Sequence, residues 1–253
     1  MDRALVGQPD GSGTMSRAHR RTVGSLAIVV LVVGAYFVSR GDVDALLEDL
    51  PTGSTSTAAD IRDQVAASDL EAGSTQLEGL DVAELDAAPG YERDEFGQRW
   101  ADIDRNGCDQ RNDTLRAGAS EVTTKPGTHG CVVLEATIDD PYTGREIAFV
   151  KGESTVDIDH IVPLSRAWQQ GAAEWDEERR EEFANTASNL LAVDASANRS
   201  KGDSGPEEWL PEAGRCAYVI QWIDVKSSYE LTITEKEKDV LEDELEACEG
   251  SAE

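Results

Sequence analysis

The sequence predicts an α+β protein. A strand–strand–helix unit is embedded in a small mixed domain with a C-terminal helical hairpin, and a single membrane-spanning helix precedes it. Three observations carry that expectation. The run TVGSLAIVVLVVGAYFVS, Thr22 to Ser39, holds no charged residue. Between Cys131 and His160, short apolar runs alternate with the period of strands. From Cys216 onward, two stretches follow the helical period.

Arg17, Arg20 and Arg21 stand before the apolar run, so residues 1–21 are expected to be a cytoplasmic tail and the chain beyond Arg40 to lie outside. Residues 22–39 sit near the lower limit for a spanning helix and are longer than most signal-peptide cores. No A-x-A cleavage signal follows closely, which favours an uncleaved signal anchor over a removed signal peptide. A buried core helix is the weaker reading, because the run has no polar face. Residues 40–90 are rich in Asp, Glu, Ala, Ser, Thr and Gly, with almost no aromatics. They are expected to form an acidic disordered linker, with transient helices around Ala45–Leu50 and Asp60–Leu70. The folded part is therefore expected outside the cytoplasm, anchored to the cell membrane or secreted.

All five tryptophans lie beyond residue 99, which places the core in residues 91–253. CVVLEATIDD (131–140) and REIAFV (145–150) read as strands joined by the turn DPYTG. Asp176 is a plausible N-cap for a helix running to about Ala184. Cys216–Lys226 reads as an amphipathic helix, and Thr234 with Glu237 forms a capping box for a last helix ending near Cys248.

If those two helices form an antiparallel hairpin, Cys216 at the start of one lies beside Cys248 at the end of the other. The four cysteines permit three connectivities, and helix register favours Cys216–Cys248 with Cys108–Cys131. Disulfides agree with an extracytoplasmic location. Zinc is the competing use, but the sequence has no C-x-x-C pair and no nearby histidine set.

The stretch VDIDHIVPL (156–164) puts two carboxylates and one of only three histidines at the end of an alternating run. Asp157 and Asp159 share one strand face, His160 takes the other, and Pro163 closes the ladder. Further on, SNLLAVDASANRSKGD (188–203) reads as a short strand Asn189–Val193, an Asp-Ala-Ser helix start, and then Asn198. Two strands with a crossing helix would bring Asp159, His160 and Asn198 together, with Asn189 at the head of the second strand. Taken singly, the histidine reads as structural and the two asparagines as turn or cap residues; the ordered set is what points to chemistry.

DIDHIVPLSRAW followed by ASNLLAVDASANRSKGDSGPEEWLP resembles the HNH endonucleases with their ββα-metal fold. The branch it is most similar to contains the C-terminal domain of GmrSD-type restriction endonucleases and the small HNH endonuclease family proteins of actinobacteria. DRNGCDQRNDTL and DPYTGREI also look like that branch, so the resemblance runs from about Phe96 to the C-terminus, with the ββα core at about 154–205. It implies that His160 is the general base, Asp159 a carboxylate ligand of one divalent ion, and Asn198 a second group facing that metal. It implies further that the Asn189 amide holds the imidazole in one orientation.

Carboxylate and amide oxygens suit a hard cation, Mg²⁺ first, with Mn²⁺ as a substitute. Such an ion clamps a phosphate oxygen and stabilises the leaving 3′ oxygen while a base activates water. Asp157, Arg199, Lys201 and Asp203 are weaker candidates, for support of these groups or for contact with a phosphate. Trp168, Trp175 and Trp209 read as core residues around this unit.

The substrate implied is nucleic acid, DNA before RNA, and the acidic charge of the chain, which keeps affinity for it modest, makes cutting with little sequence specificity the expectation; no protein partner follows from the sequence. The composition pulls the other way. With 51 acidic against 23 basic residues the net charge is −28, which repels polyanions at long range. Arg166, Arg199 and Lys201 are the cations nearest the motif in sequence. A noncatalytic surface module that keeps the scaffold and binds cations or a partner is the competing class. Asp102, Asp104, Asn106 and Asp113 also approach a calcium-loop pattern, with Gly107 at the turn, although Asp113 is shorter than the usual glutamate and Cys108 sits inside the loop.

Overall fold

The computed structural model describes residues 65–153 and 155–251. The apolar run 22–39 lies outside the described residues; among those described, no helix is long and apolar enough to cross a membrane.

The first element is helix α1, Ala67–Glu78, inside the stretch expected to be a disordered linker. Its buried residues, Leu70, Gly73 and Leu77, recur at spacings of three and four and so line one face. Ile220 and Leu245 flank Gly73, which seats that face on the two C-terminal helices. The chain that follows is also fixed: Ala83 N–H donates to the carbonyl of Ile233, and Trp168 Nε1–H to that of Ala88. Ordered structure packed on the domain is therefore already present ahead of residue 91, in α1 and the chain that follows it. Composition alone misjudged it, because two leucines either side of a closely packed glycine suffice when the C-terminal hairpin supplies the other half of the interface.

Helix α2, Gln110–Ala117, is capped by Asp109, whose carboxylate accepts from Asn112 N–H. Strands β1 (Ala119–Thr124), β2 (Val133–Asp139) and β3 (Glu146–Val150) form an antiparallel sheet in that order. Beneath it Leu115, Val133, Ile138, Phe149, Val156 and Ala192 make a small core. Disulfide Cys108–Cys131 ties the start of α2 to the loop before β2.

Strand β4, Val156–His160, pairs antiparallel with β5, Leu190–Asp194, and His160 stands opposite Leu190. Between them run α3 (Leu164–Gln169) and α4 (Glu177–Asn185), the latter capped by Asp176. Helix α5, Ala195–Lys201, follows β5 directly; the Asp194 carboxylate accepts from Ser196 and Ala197 N–H and starts it. β4, β5 and α5 thus form a strand–strand–helix unit.

Helices α6 (Arg215–Ser228) and α7 (Glu235–Ser251) make the C-terminal hairpin, joined by disulfide Cys216–Cys248. Thr234 and Glu237 cap α7 reciprocally: Thr234 Oγ1 accepts from Glu237 N–H, and Glu237 Oε2 from Thr234 N–H. The same buried carboxylate also accepts from Trp222 Nε1, Gln170 Nε2 and Arg166 Nη2, and pairs with Lys226 at 3.1 Å. These cations hold Glu237 below the ordinary carboxylate range against its burial, while burial lowers Lys226 to about 8. Arg166 is consumed here, paired with Glu207 and Glu237, and is not among the cations facing the cleft described next.

Candidate functional site

At the end of β4 a cleft opens that is bordered by Asp159, His160, Asn198, Arg199 and Asp203, with Tyr91 and Arg93 on its rim. The strand end supplies the first two and α5 the next two. Of the residues singled out in the sequence, Asp159, His160, Asn198, Arg199 and Asp203 therefore do meet.

Asp159 is buried among donors. Tyr142 Oη–H donates to its Oδ2 at 2.6 Å, and Lys201 Nζ lies 2.8 Å from the same oxygen. Burial raises the Asp159 carboxyl, and Lys201 opposes it. The Tyr142 phenol is pushed well above its usual range by burial and by Asp159, so it stays a donor. Tyr142 sits in the turn between β2 and β3, and nothing in its local sequence marked it beyond the DPYTG turn itself. Two Asp140 bonds to the backbone of Tyr142 and Thr143, and a third to Asp194 N–H, tie that turn to the ββα unit.

Lys201 is fully buried. Its ammonium also donates to the carbonyl of His160 at 2.8 Å, so it supports the Asp-His pair from behind and is not positioned to touch a phosphate. Asp157 is half-buried on the flank, 3.4 Å from Asn198 Nδ2 and 3.6 Å from Arg199 Nε. Asp203 is exposed at the rim.

His160 is 7 % exposed, and its Nε2–H donates to the carbonyl of Ala184 at 2.8 Å. That bond fixes the tautomer and leaves Nδ1 with the lone pair. Burial, with Arg93, Lys201 and Arg99 nearby, lowers the imidazole to about 3, so it is neutral throughout the physiological range. Asn189, completely buried, does something other than expected. Its Oδ1 accepts from Val162 N–H at 2.8 Å and its Nδ2 donates to the Val162 carbonyl at 3.3 Å. It clamps the backbone just after the Asp-His pair, while Ala184 orients the imidazole. An asparagine amide matches a peptide group donor for acceptor, which a ring nitrogen cannot do.

The donor set fits a magnesium-like ion. Asp159 has lone pairs left beyond the two bonds to Oδ2, and among the described residues no hydrogen bond engages Asn198 Oδ1. Such an ion keeps several waters and needs only one or two protein oxygens. Among the described residues no group of three or more His, Cys, Asp or Glu is arranged to hold a metal. In the 102–113 loop the carboxylates already have partners: Asp102 accepts from Asn106 and Gly107 N–H, Asp104 from the Asn106 amide, and Asp113 pairs with Arg116.

The family model for the C-terminal domain of GmrSD restriction endonucleases matches residues 109–243. An uncharacterized secreted protein of Arthroderma benhamiae is 40 % identical over 176 residues, covering 68 % of this chain and 82 % of its own. No solved structure matches. The matched span takes in both strands, α5 and every residue of the Asp-His-Asn set, and the chain belongs to the family of the C-terminal domain of GmrSD restriction endonucleases.

Proposed function

We propose that this protein is an extracytoplasmic, metal-dependent HNH endonuclease that hydrolyses phosphodiester bonds of DNA, and of RNA as a further substrate, with little sequence specificity. The observation that carries the reading is the meeting of Asp159, His160 and Asn198 at one cleft on a strand–strand–helix unit. Family membership supports the nuclease class, and the secreted relative and two disulfides support the location. Anchoring through residues 22–39 belongs to the same proposal.

Asp159 and Asn198 would hold a single Mg²⁺, with Mn²⁺ able to replace it. When bound, the ion supplies neutralisation of the phosphate and of charge developing on the leaving 3′ oxygen. His160, neutral and with Nδ1 unprotonated, takes a proton from the attacking water. Lys201 and Tyr142 hold the Asp159 carboxylate in place, and Asn189 holds the backbone behind His160. Arg199, at the rim, is available to a phosphate on displacement from Asp157. Because Lys201 already compensates Asp159, metal affinity is weak until a phosphate adds its charge. Little sequence specificity follows from a site whose protein groups address phosphate and metal rather than base edges.

The test is cleavage of DNA and RNA by the purified protein with Mg²⁺ or Mn²⁺, across a range of salt, against chelator and against His160→Ala. Metal-dependent cutting lost in the folded variant is the expected result. Wild-type protein that cuts nothing under any of these conditions sinks the proposal.

A further inference from the structure

A second hollow adjoins the other side of His160, bordered by Arg93, Arg99, Trp100 and Ala184 near the end of helix α4. Arg93 borders both hollows and so joins them. Arg93 and Arg99 are exposed and make no ion pair among the described residues, although acidic residues outnumber basic ones more than two to one. Their charge nonetheless reaches His160. Arg116, Arg166, Arg179, Arg180 and Arg215 are tied to carboxylates; Arg105, Arg111 and Arg145 also make no ion pair among the described residues, but they border neither hollow.

Trp100 has φ +60, a left-handed backbone that a bulky residue adopts only under constraint. The constraint is visible. Buried Asn185 donates to the carbonyl of Gln98 and accepts from Ala101 N–H at 2.8 Å, so it grips the chain on both sides of the tryptophan. The result is a half-exposed indole lying within 10° of parallel to the His160 ring, with centroids 6.2 Å apart. Strain of this kind persists where the surroundings enforce it, and here they hold an indole in the same hollow as two exposed arginines, at the edge of the site.

We propose that Arg93, Arg99 and Trp100 form a nucleotide subsite beside the scissile phosphate. The indole stacks on an unpaired nucleobase, and the two guanidiniums take the adjoining phosphates. This deepens the nuclease reading and rests on it for the identity of the neighbouring site. Stacking on an indole needs a base freed from its own stack, so the subsite selects single-stranded or locally unpaired nucleic acid. It also reconciles the acidic surface with a polyanionic substrate, since binding relies on a local pair of unneutralised arginines and not on the global field.

The experiment measures binding of a labelled oligothymidylate, and of a duplex of equal length, to the full chain in chelator, by anisotropy across a salt series. Tighter binding of the single strand is expected. Trp100→Ala should weaken it about tenfold while Trp100→Phe keeps most of the affinity, as stacking predicts. Arg93→Gln with Arg99→Gln should lower the salt slope by roughly 1.4, the value for two phosphate contacts on a single strand. Lys125→Gln with Lys151→Gln, two exposed cations remote in sequence from the site, serves as the matched-charge control and should change neither quantity.

Equal single-strand affinity for wild type and Trp100→Ala, or an unchanged salt slope in the double arginine variant, overturns the subsite. If the wild type cuts nucleic acid all the same, the nuclease reading survives that failure. Binding that depends on Trp100 and the arginines, in a protein that never cuts with Mg²⁺ or Mn²⁺, upholds the subsite and removes the nuclease.

Discussion

Lys201 Nζ lies 2.8 Å from Asp159 Oδ2 and 2.8 Å from the carbonyl oxygen of His160. One side chain from the last turn of α5 therefore fixes both residues at the end of β4, and the strand–strand–helix unit is held together at its chemical end. Removing one partner of a buried pair leaves the other uncompensated. Lys201→Met should cost about 3–5 kcal/mol in denaturant unfolding. Adding Asp159→Asn should recover much of that loss, because the amide needs no counter-charge and still accepts from Tyr142. A double variant no more stable than Lys201→Met would show that the lysine acts by packing alone.

His160 makes the fold acid-sensitive. Its folded-state pKa of about 3 lies below the unfolded value, so between pH 6.5 and 3 the unfolded chain binds a proton that the folded chain refuses. Stability contributed by the neutral ring is whole above pH 6.5 and drains away as pH falls through that window. Urea unfolding at pH 7 and pH 4.5 should therefore show a smaller difference for His160→Ala than for wild type. An equal difference in both proteins would contradict the buried neutral imidazole.

Asn189 is assigned to the Val162 backbone, and that assignment separates it from His160. Asn189→Ala leaves a buried N–H and a buried carbonyl without partners, at a cost of about 1–3 kcal/mol for each unsatisfied group. The expected signature is a lowered melting temperature together with reduced cutting. Asn189→Asp restores the acceptor only and should recover part of the stability. Activity loss with no change in melting temperature would instead favour a direct hold on the imidazole.

Helix α1 tests where the domain begins. A fragment from Tyr91 exposes the face of the C-terminal hairpin that Leu70 and Leu77 cover, whereas a fragment from Val65 keeps it buried. Burying a leucine contributes about 1.5–3 kcal/mol, so the shorter fragment should melt at a clearly lower temperature and associate at micromolar concentration. Identical melting curves would mean that α1 adds nothing to the fold.

Local physics wrote much of this molecule into the sequence. Alternation and turn residues gave β2, β3 and β4, Asp176 and the Thr234–Glu237 box gave helix starts, and the ordered Asp-His, Asn and Asn-Arg-Ser-Lys segments gave the ββα unit. The strands and helix starts depend on neighbours within a few residues, which is what a sequence displays; the ββα unit, whose segments stand far apart in the chain, rested on the resemblance to the HNH endonucleases. The sequence did not disclose that α1 is ordered, that Tyr142 reaches Asp159 from 17 residues away, that Asn189 clamps a backbone, or that Lys201 is buried while Arg93 and Arg99 stay exposed, without an ion pair among the described residues. Those outcomes depend on which surfaces meet after folding. Burial and pairing decide whether a lysine supports a carboxylate or a phosphate, and only the tertiary structure brings the partners into contact.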